Sequence, residues 1–264
     1  MRNSFILIIV VAFFVVLFAF PVATKVNAHD VFTYTHLPQL AIFLAPEDPI
    51  LRFNIANYYF SSSAYNIKKA ENYFLQALKI DQSLQGLHYQ LARIYFVQGK
   101  FYTALEKINK EIELYPDFKR SYYVRGLIYG YTDRLPEAES DFKEFLKWKP
   151  DSWAGNNDLA WILFQQGKYA ETRDVALAGL AIAPNNLWLL NSLGLALLNT
   201  NDKEGAREAF TKALAASALM SESDWGVAYP GNNPKSYAEG FSKTKESIKQ
   251  NMELLSIGDN ANQK

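Results

Sequence analysis

Three histidines, His29, His36 and His88, are the first residues in this chain that could hold a metal or move a proton. No two of them sit four apart on a helix, and no H-E-x-x-H exists, so a zinc site has no ligand pattern to build on. The chain has no cysteine, which removes disulfides, thiolate catalysis, Cys-based zinc sites and a cysteine-linked lipid anchor. A G-x-S-x-G elbow and a Gly-rich phosphate loop are also absent, and "YPGNNP" at Tyr229 is turn chemistry. Glu106, Glu111 and Glu113 are the nearest approach to clustered carboxylates, and they read as solvated helix surface. His88 reads as a packing residue. No catalytic residue, cofactor or metal is expected, and the chain is read as a non-enzyme.

The totals agree. Lys+Arg and Asp+Glu are both 27 in 264 residues, so no global field favours nucleic acid. Apolar residues make up 49%, enough for a substantial core. At the N-terminus, "FILIIVVAFFVVLFAF" (Phe5 to Phe20) follows Arg2 and precedes Pro21. An unbroken apolar run of this kind is an export signal or a membrane anchor. Val26 and Ala28 form a small-x-small site, so cleavage near Ala28 and a retained anchor both stay open. Either places the remainder on the extracytoplasmic side, anchored or secreted.

The elements that carry the other residues announce themselves by repetition. "FVQGKFYTA" begins at Phe96 and "FQQGKYAET" at Phe164, a separation of 164 − 96 = 68. Half of 68 is 34, and Pro116, Pro150 and Pro184 step by that amount. One register then covers five units: 49–84, 85–118, 119–152, 153–186 and 187–220. The third shows it best, with Tyr122, Gly126, Tyr129, Ala138, Phe142 and Pro150; the fifth repeats it with Leu190, Gly194, Leu197, Ala206 and Phe210. Within each unit apolar residues recur at three and four, which predicts two amphipathic helices. Gly or Asn in "QGK" and "TND", and the matching "TDR", mark the break between them, and the closing Pro ends the second.

This order of aromatic or Leu, Leu, small residue and aromatic, then Ala-x3-Phe, then Pro, resembles the tetratricopeptide repeat family. The resemblance covers about two-thirds of the chain. Departures are Gln82 and Ala218 in place of the closing Pro, Thr172 for Ala, and Asp133 and Asn201 for the turn Gly. It implies an all-α fold: a right-handed superhelical solenoid of antiparallel helix pairs, because one pair cannot cover its own apolar face. Residues 29–48 are expected to enter through a half-repeat helix at 36–45. Residues 221–257 are expected to form a loop and a capping helix whose inner face carries Tyr237, Phe241, Ile248, Met252 and Leu255. A disordered tail is expected over 258–264.

In the resembled family the first helices line a concave face that binds extended peptides or partner helices. The second, fifth, ninth and twelfth places of each unit point inward. They give Tyr89, Arg93 and Phe96; Arg120, Tyr123 and Leu127; Asn157, Trp161 and Phe164; Trp188, Asn191 and Leu195. This set holds six aromatics, two Arg, two Asn and no acid, a composition typical of protein-binding surfaces. Arg93 and Arg120 suit a carboxylate or an aromatic face, and the Asn side chains suit a ligand's backbone. The Lys–Asn pair with which chaperone-associated members hold a C-terminal carboxylate is missing: Tyr89 and Arg93, or Phe53 and Asn57, stand there. The expectation is an adaptor for a protein or peptide partner, with no nucleic acid. A self-assembling or envelope-assembly structural component, using convex or end surfaces, is the alternative. A glycan or small-molecule binder using Trp161 and Trp188 as stacking platforms is the third reading.

Overall fold

The computed structural model describes residues 27–228 and 231–261. Among these residues it has fourteen α-helices, one 3-10 turn and no strand. A short leading pair, α1 (Ala28–Thr35) and α2 (Pro38–Leu44), is followed by five longer pairs. These are α3 (Pro49–Phe60) with α4 (Ile67–Ile80), α5 (Leu87–Val97) with α6 (Phe101–Leu114), and α7 (Arg120–Tyr131) with α8 (Leu135–Trp148). Then come α9 (Trp153–Gln165) with α10 (Tyr169–Ile182), and α11 (Leu187–Asn199) with α12 (Lys203–Leu219). The C-terminal region adds α13 (Glu222–Ala228), the 3-10 turn Pro234–Ser236 and α14 (Tyr237–Ala261). Each pair stacks on the next, which makes the chain an α-solenoid.

Local chemistry sets the helix ends. Side chains of Asp48, Asn66, Ser152, Asn186 and Asp202 each accept a hydrogen bond from a first-turn backbone N–H, at 2.9 to 3.1 Å. Four of the five breaks within these pairs turn on a left-handed residue: Gly99 (φ 72°), Asp133 (59°), Gly167 (73°) and Asn201 (65°). Asp and Asn are the non-glycine residues that best tolerate this region. Pro116, Pro150 and Pro184 each lie two residues past the end of a second helix. Where Pro is lacking, the outcome depends on the substitute. Asp81 accepts from the Ser83 N–H at 2.8 Å and its hydroxyl at 2.7 Å, a local turn that stops α4. Ala218 offers no such brake, and α12 runs on to 17 residues where α6, α8 and α10 have 14.

The core lies between the helices of each pair. Phe74, Phe142 and Phe210, at matching places in the second helices of their pairs, are fully buried. Small residues face two of them: a Cβ on Gly126 would stand 3.1 Å from Phe142, and one on Gly194 only 2.5 Å from Phe210. Two carboxylates are structural. Asp141 takes a bidentate pair from Arg125 at 2.7 and 2.8 Å between α7 and α8. Glu111 is fully buried, which corrects its reading as solvated surface: it caps the neighbouring helix α5 by accepting from the N–H of Gly86. His88 is buried, and desolvation lowers its pKa, in keeping with a packing role.

The ends differ from expectation in detail. The entry segment holds two short helices instead of one, broken at left-handed His36 (φ 53°), whose ring stacks on Tyr58 at 4.6 Å. The stretch expected as one loop after α12 contains α13. Ile248 and Leu255 of α14 are buried against the last pair, and the helix continues past Gly258 to Ala261. The apolar run of residues 5–20 lies outside the described residues. Among the described residues no helix is long and apolar enough to cross a membrane.

Candidate partner-binding groove

The first helices α5, α7, α9 and α11 carry the twelve inward places. At the first of these helices, Tyr89 meets Phe118 edge-on at 5.2 Å. The Arg93 guanidinium lies 5.0 Å from the Phe60 ring and donates to Gln90 Oε1 at 2.7 Å, and Gln90 in turn donates to Asn57. Phe96 touches Tyr131 edge-on at 5.2 Å. On α7, Arg120 is exposed, Leu127 packs into the central core, and the Tyr123 ring sits 5.0 Å from Phe145. On α9, Asn157 and Trp161 are half-buried and Phe164 leans on Tyr169 at 5.4 Å. On α11, Trp188 stacks on Trp153 at 5.7 Å and 12°. Asn191 accepts from Asn251 of α14 at 2.9 Å, and Leu195 packs with Met252 and Leu255.

The places thus divide. Asn191 and Leu195 are taken by the C-terminal helix, and one face of Trp188 is covered by Trp153. The middle of the groove, on α7 and α9, is where side chains stay open. Tyr131 is 59% exposed although its ring meets Phe96, Phe101 and Trp161, so a wall of rings runs across three consecutive pairs.

The twelve counted places hold no acid, but one stands beside them in the groove. Asp158, on α9, is half-buried; its Oδ2 accepts from the Tyr123 hydroxyl at 2.5 Å and its Oδ1 from Asn157 Nδ2 at 3.1 Å. Burial of the carboxylate pushes its pKa up to about 6, against the pull of those two hydrogen bonds. Its charge also reaches Tyr131, whose pKa is raised by burial first and by Asp158 second.

Residues 123–186 match the tetratricopeptide repeat family, and so do residues 189–218. These stretches carry tetratricopeptide repeats. No curated protein matches it in sequence. Among solved structures it is similar to the crystal structure of YrrB, described as a TPR protein with an unusual peptide-binding site. That likeness has 19% identity and a TM-score of 0.58, over 68% of this chain and 92% of that one. MamA is also similar, at 18% identity, TM-score 0.57, 66% of this chain and 93% of that one. MamA from Desulfovibrio magneticus RS-1, residues 41 to the end, gives 15% identity, TM-score 0.60, 65% and 96%. At these identities the likeness is one of fold.

Three features of these tetratricopeptide repeats escape a reading by fixed inward places. Asp158 and Tyr131 each stand one place past a counted position, and a helix face is wide enough to present such neighbours. Trp153 opens its helix and meets Trp188 only because successive repeats stack. The third feature is a strap. The Tyr65 hydroxyl donates to the Gly231 carbonyl at 3.1 Å, so the C-terminal segment reaches back to the first full pair. With α13 it encloses a cleft of about 480 Å³ bordered by Asn57, Phe60, Gln90 and Arg93. The only sequence hint was a long Gly, Asn and Pro-rich connection.

Proposed function

We propose that this protein is a non-enzymatic adaptor whose concave face holds a peptide or helix of a protein partner. The observation that carries this reading is Tyr131: a large aromatic, more than half exposed, braced by rings from the pairs on either side of its own. Rigid exposed aromatics bind at low entropic cost and dominate interface energies. The strap occupies the groove at α3 and α5, and α14 occupies it at α11, which leaves α7 and α9 as the docking site. The apolar run before residue 27 would export or tether the chain, and tethering would raise the effective concentration of a partner at a membrane.

A photo-crosslinking residue at position 131, compared with one at Tyr102, tests the groove. Tyr102 is 89% exposed on α6, a second helix. Partner crosslinks from 131 and none from 102 are expected; the reverse would move the interface off the concave face.

A second reading, self-assembly through an end, draws on Tyr34 (83% exposed) and Phe43 (76%) in the leading pair. Two large apolar side chains open at one end of a solenoid suit another subunit. Concentration-dependent size that disappears in a Tyr34→Ser, Phe43→Ser variant would favour it.

A further inference from the structure

We infer that the docking site takes a cation: a lysine or arginine side chain, carried by a peptide segment of the partner, that pairs with Asp158 between Tyr123, Tyr131 and Trp161. This deepens the groove reading above and rests on it.

The acid is poised for such a partner. Both oxygens of Asp158 are hydrogen-bonded, by Tyr123 and by Asn157, and each of those donors is neutral. Among the described residues no Lys, Arg or His forms an ion pair with it or acts on its pKa. A carboxylate this desolvated without a counter-charge is unfavourable, and a ligand that brings the charge relieves it. The surroundings point the same way. Trp161 lies three residues along α9 from Asp158, on the same face, and its ring stands 5.6 Å from that of Tyr131. Ring faces carry a negative quadrupole and attract cations. The two groove arginines are engaged or distant: Arg93 lies over Phe60 and bonds Gln90, and Arg120 is exposed at the start of α7. An anionic ligand would meet Asp158, and a neutral apolar one would bury its charge uncompensated.

The test selects a random peptide library on the full chain. Each winner is then remade with its basic residue replaced by norleucine, and affinities are measured against the wild type and Asp158→Asn. The isosteric Asn keeps an acceptor for Tyr123. Winners should share Lys or Arg at one fixed place. Norleucine should weaken wild-type binding at least about tenfold and barely affect binding to Asp158→Asn. On the wild type alone, the basic peptide should lose affinity with added salt more steeply than its norleucine twin. Winners that need Tyr131 but have no fixed basic residue would overturn the cation inference and leave the groove standing. Equal norleucine losses on both proteins would also overturn it. Winners indifferent to Tyr131→Ala, or none at all, would overturn the groove and this inference together.

Discussion

Glu111, near the end of α6, accepts a hydrogen bond from the backbone N–H of Gly86 at 2.6 Å and another from Tyr89 at 3.2 Å. A fully buried carboxylate therefore caps the first turn of α5, which precedes it in the chain and is its partner in the pair. The helix dipole and two donors hold the charge there, while burial still raises its pKa. Glu111→Ala would leave those donors buried and unpaired. We expect a loss of about 2–3 kcal/mol, read from urea unfolding followed by Trp fluorescence. A midpoint unchanged from wild type would show that the cap contributes nothing.

Gly126 and Gly194 occupy equivalent places but have different room. In a helix interior, Gly→Ala gains roughly 0.5–1 kcal/mol. At Gly126 the new methyl would meet Phe142 at 3.1 Å, a small adjustment, so Gly126→Ala should be close to neutral. At Gly194 it would meet Phe210 at 2.5 Å, and Phe210 is fully buried. Overpacking of about 1–3 kcal/mol then exceeds the helical gain, and Gly194→Ala should melt lower. Equal melting temperatures for the two variants would contradict this packing.

Burial pushes the Asp158 carboxyl up to a pKa of about 6 in the fold, above its ordinary value of 3.8. The folded state therefore binds more protons than the unfolded one between those values, and stability falls as pH rises through that window. Tyr123, Asn157 and Tyr131 face this group, and burial raises the pKa of Tyr131 away from this window. Asp158→Asn should remove this fall, so the variant gains on the wild type between pH 4 and 7 by up to about 3 kcal/mol. Parallel stability curves for the two proteins across this range would rule the coupling out.

Asp133 and Asn201 sit at φ 59° and 65°, where the matching turns use glycine. Glycine has no Cβ to strain there, so Asp133→Gly and Asn201→Gly should each stabilise by up to about 1 kcal/mol. Thermal melts of the single and double variants check this, and the gains should add because the turns are far apart.

The strap is held to the first full pair through Tyr65 and Gly231. Tyr65→Phe removes that hydrogen bond at a local cost of about 0.5–1.5 kcal/mol. Amide exchange over residues 231–236 should quicken while the helices of the central pairs keep their protection. Unchanged exchange in that segment would mean that other contacts hold it.

The sequence by itself determined the repeating part of this protein. A Pro, a left-handed turn residue and a small-against-large pairing recur in one register, and each acts within one unit, so its consequence can be read locally. The all-α solenoid and the capping role of the C-terminal helix follow from those patterns. The tertiary structure decided what depends on contacts between units. Glu111 looks like solvated surface until its pair partner places two buried N–H groups against it. Asp158 gains its character from Tyr123, 35 residues earlier, and from rings on α7 and α9 that only stacking brings together. The strap joins Tyr65 to Gly231 across 166 residues, and nothing local to either residue specifies the other. Periodicity fixes which face of a helix points inward, but the charge, the exposure and the occupant of that face are set by neighbours distant in the chain.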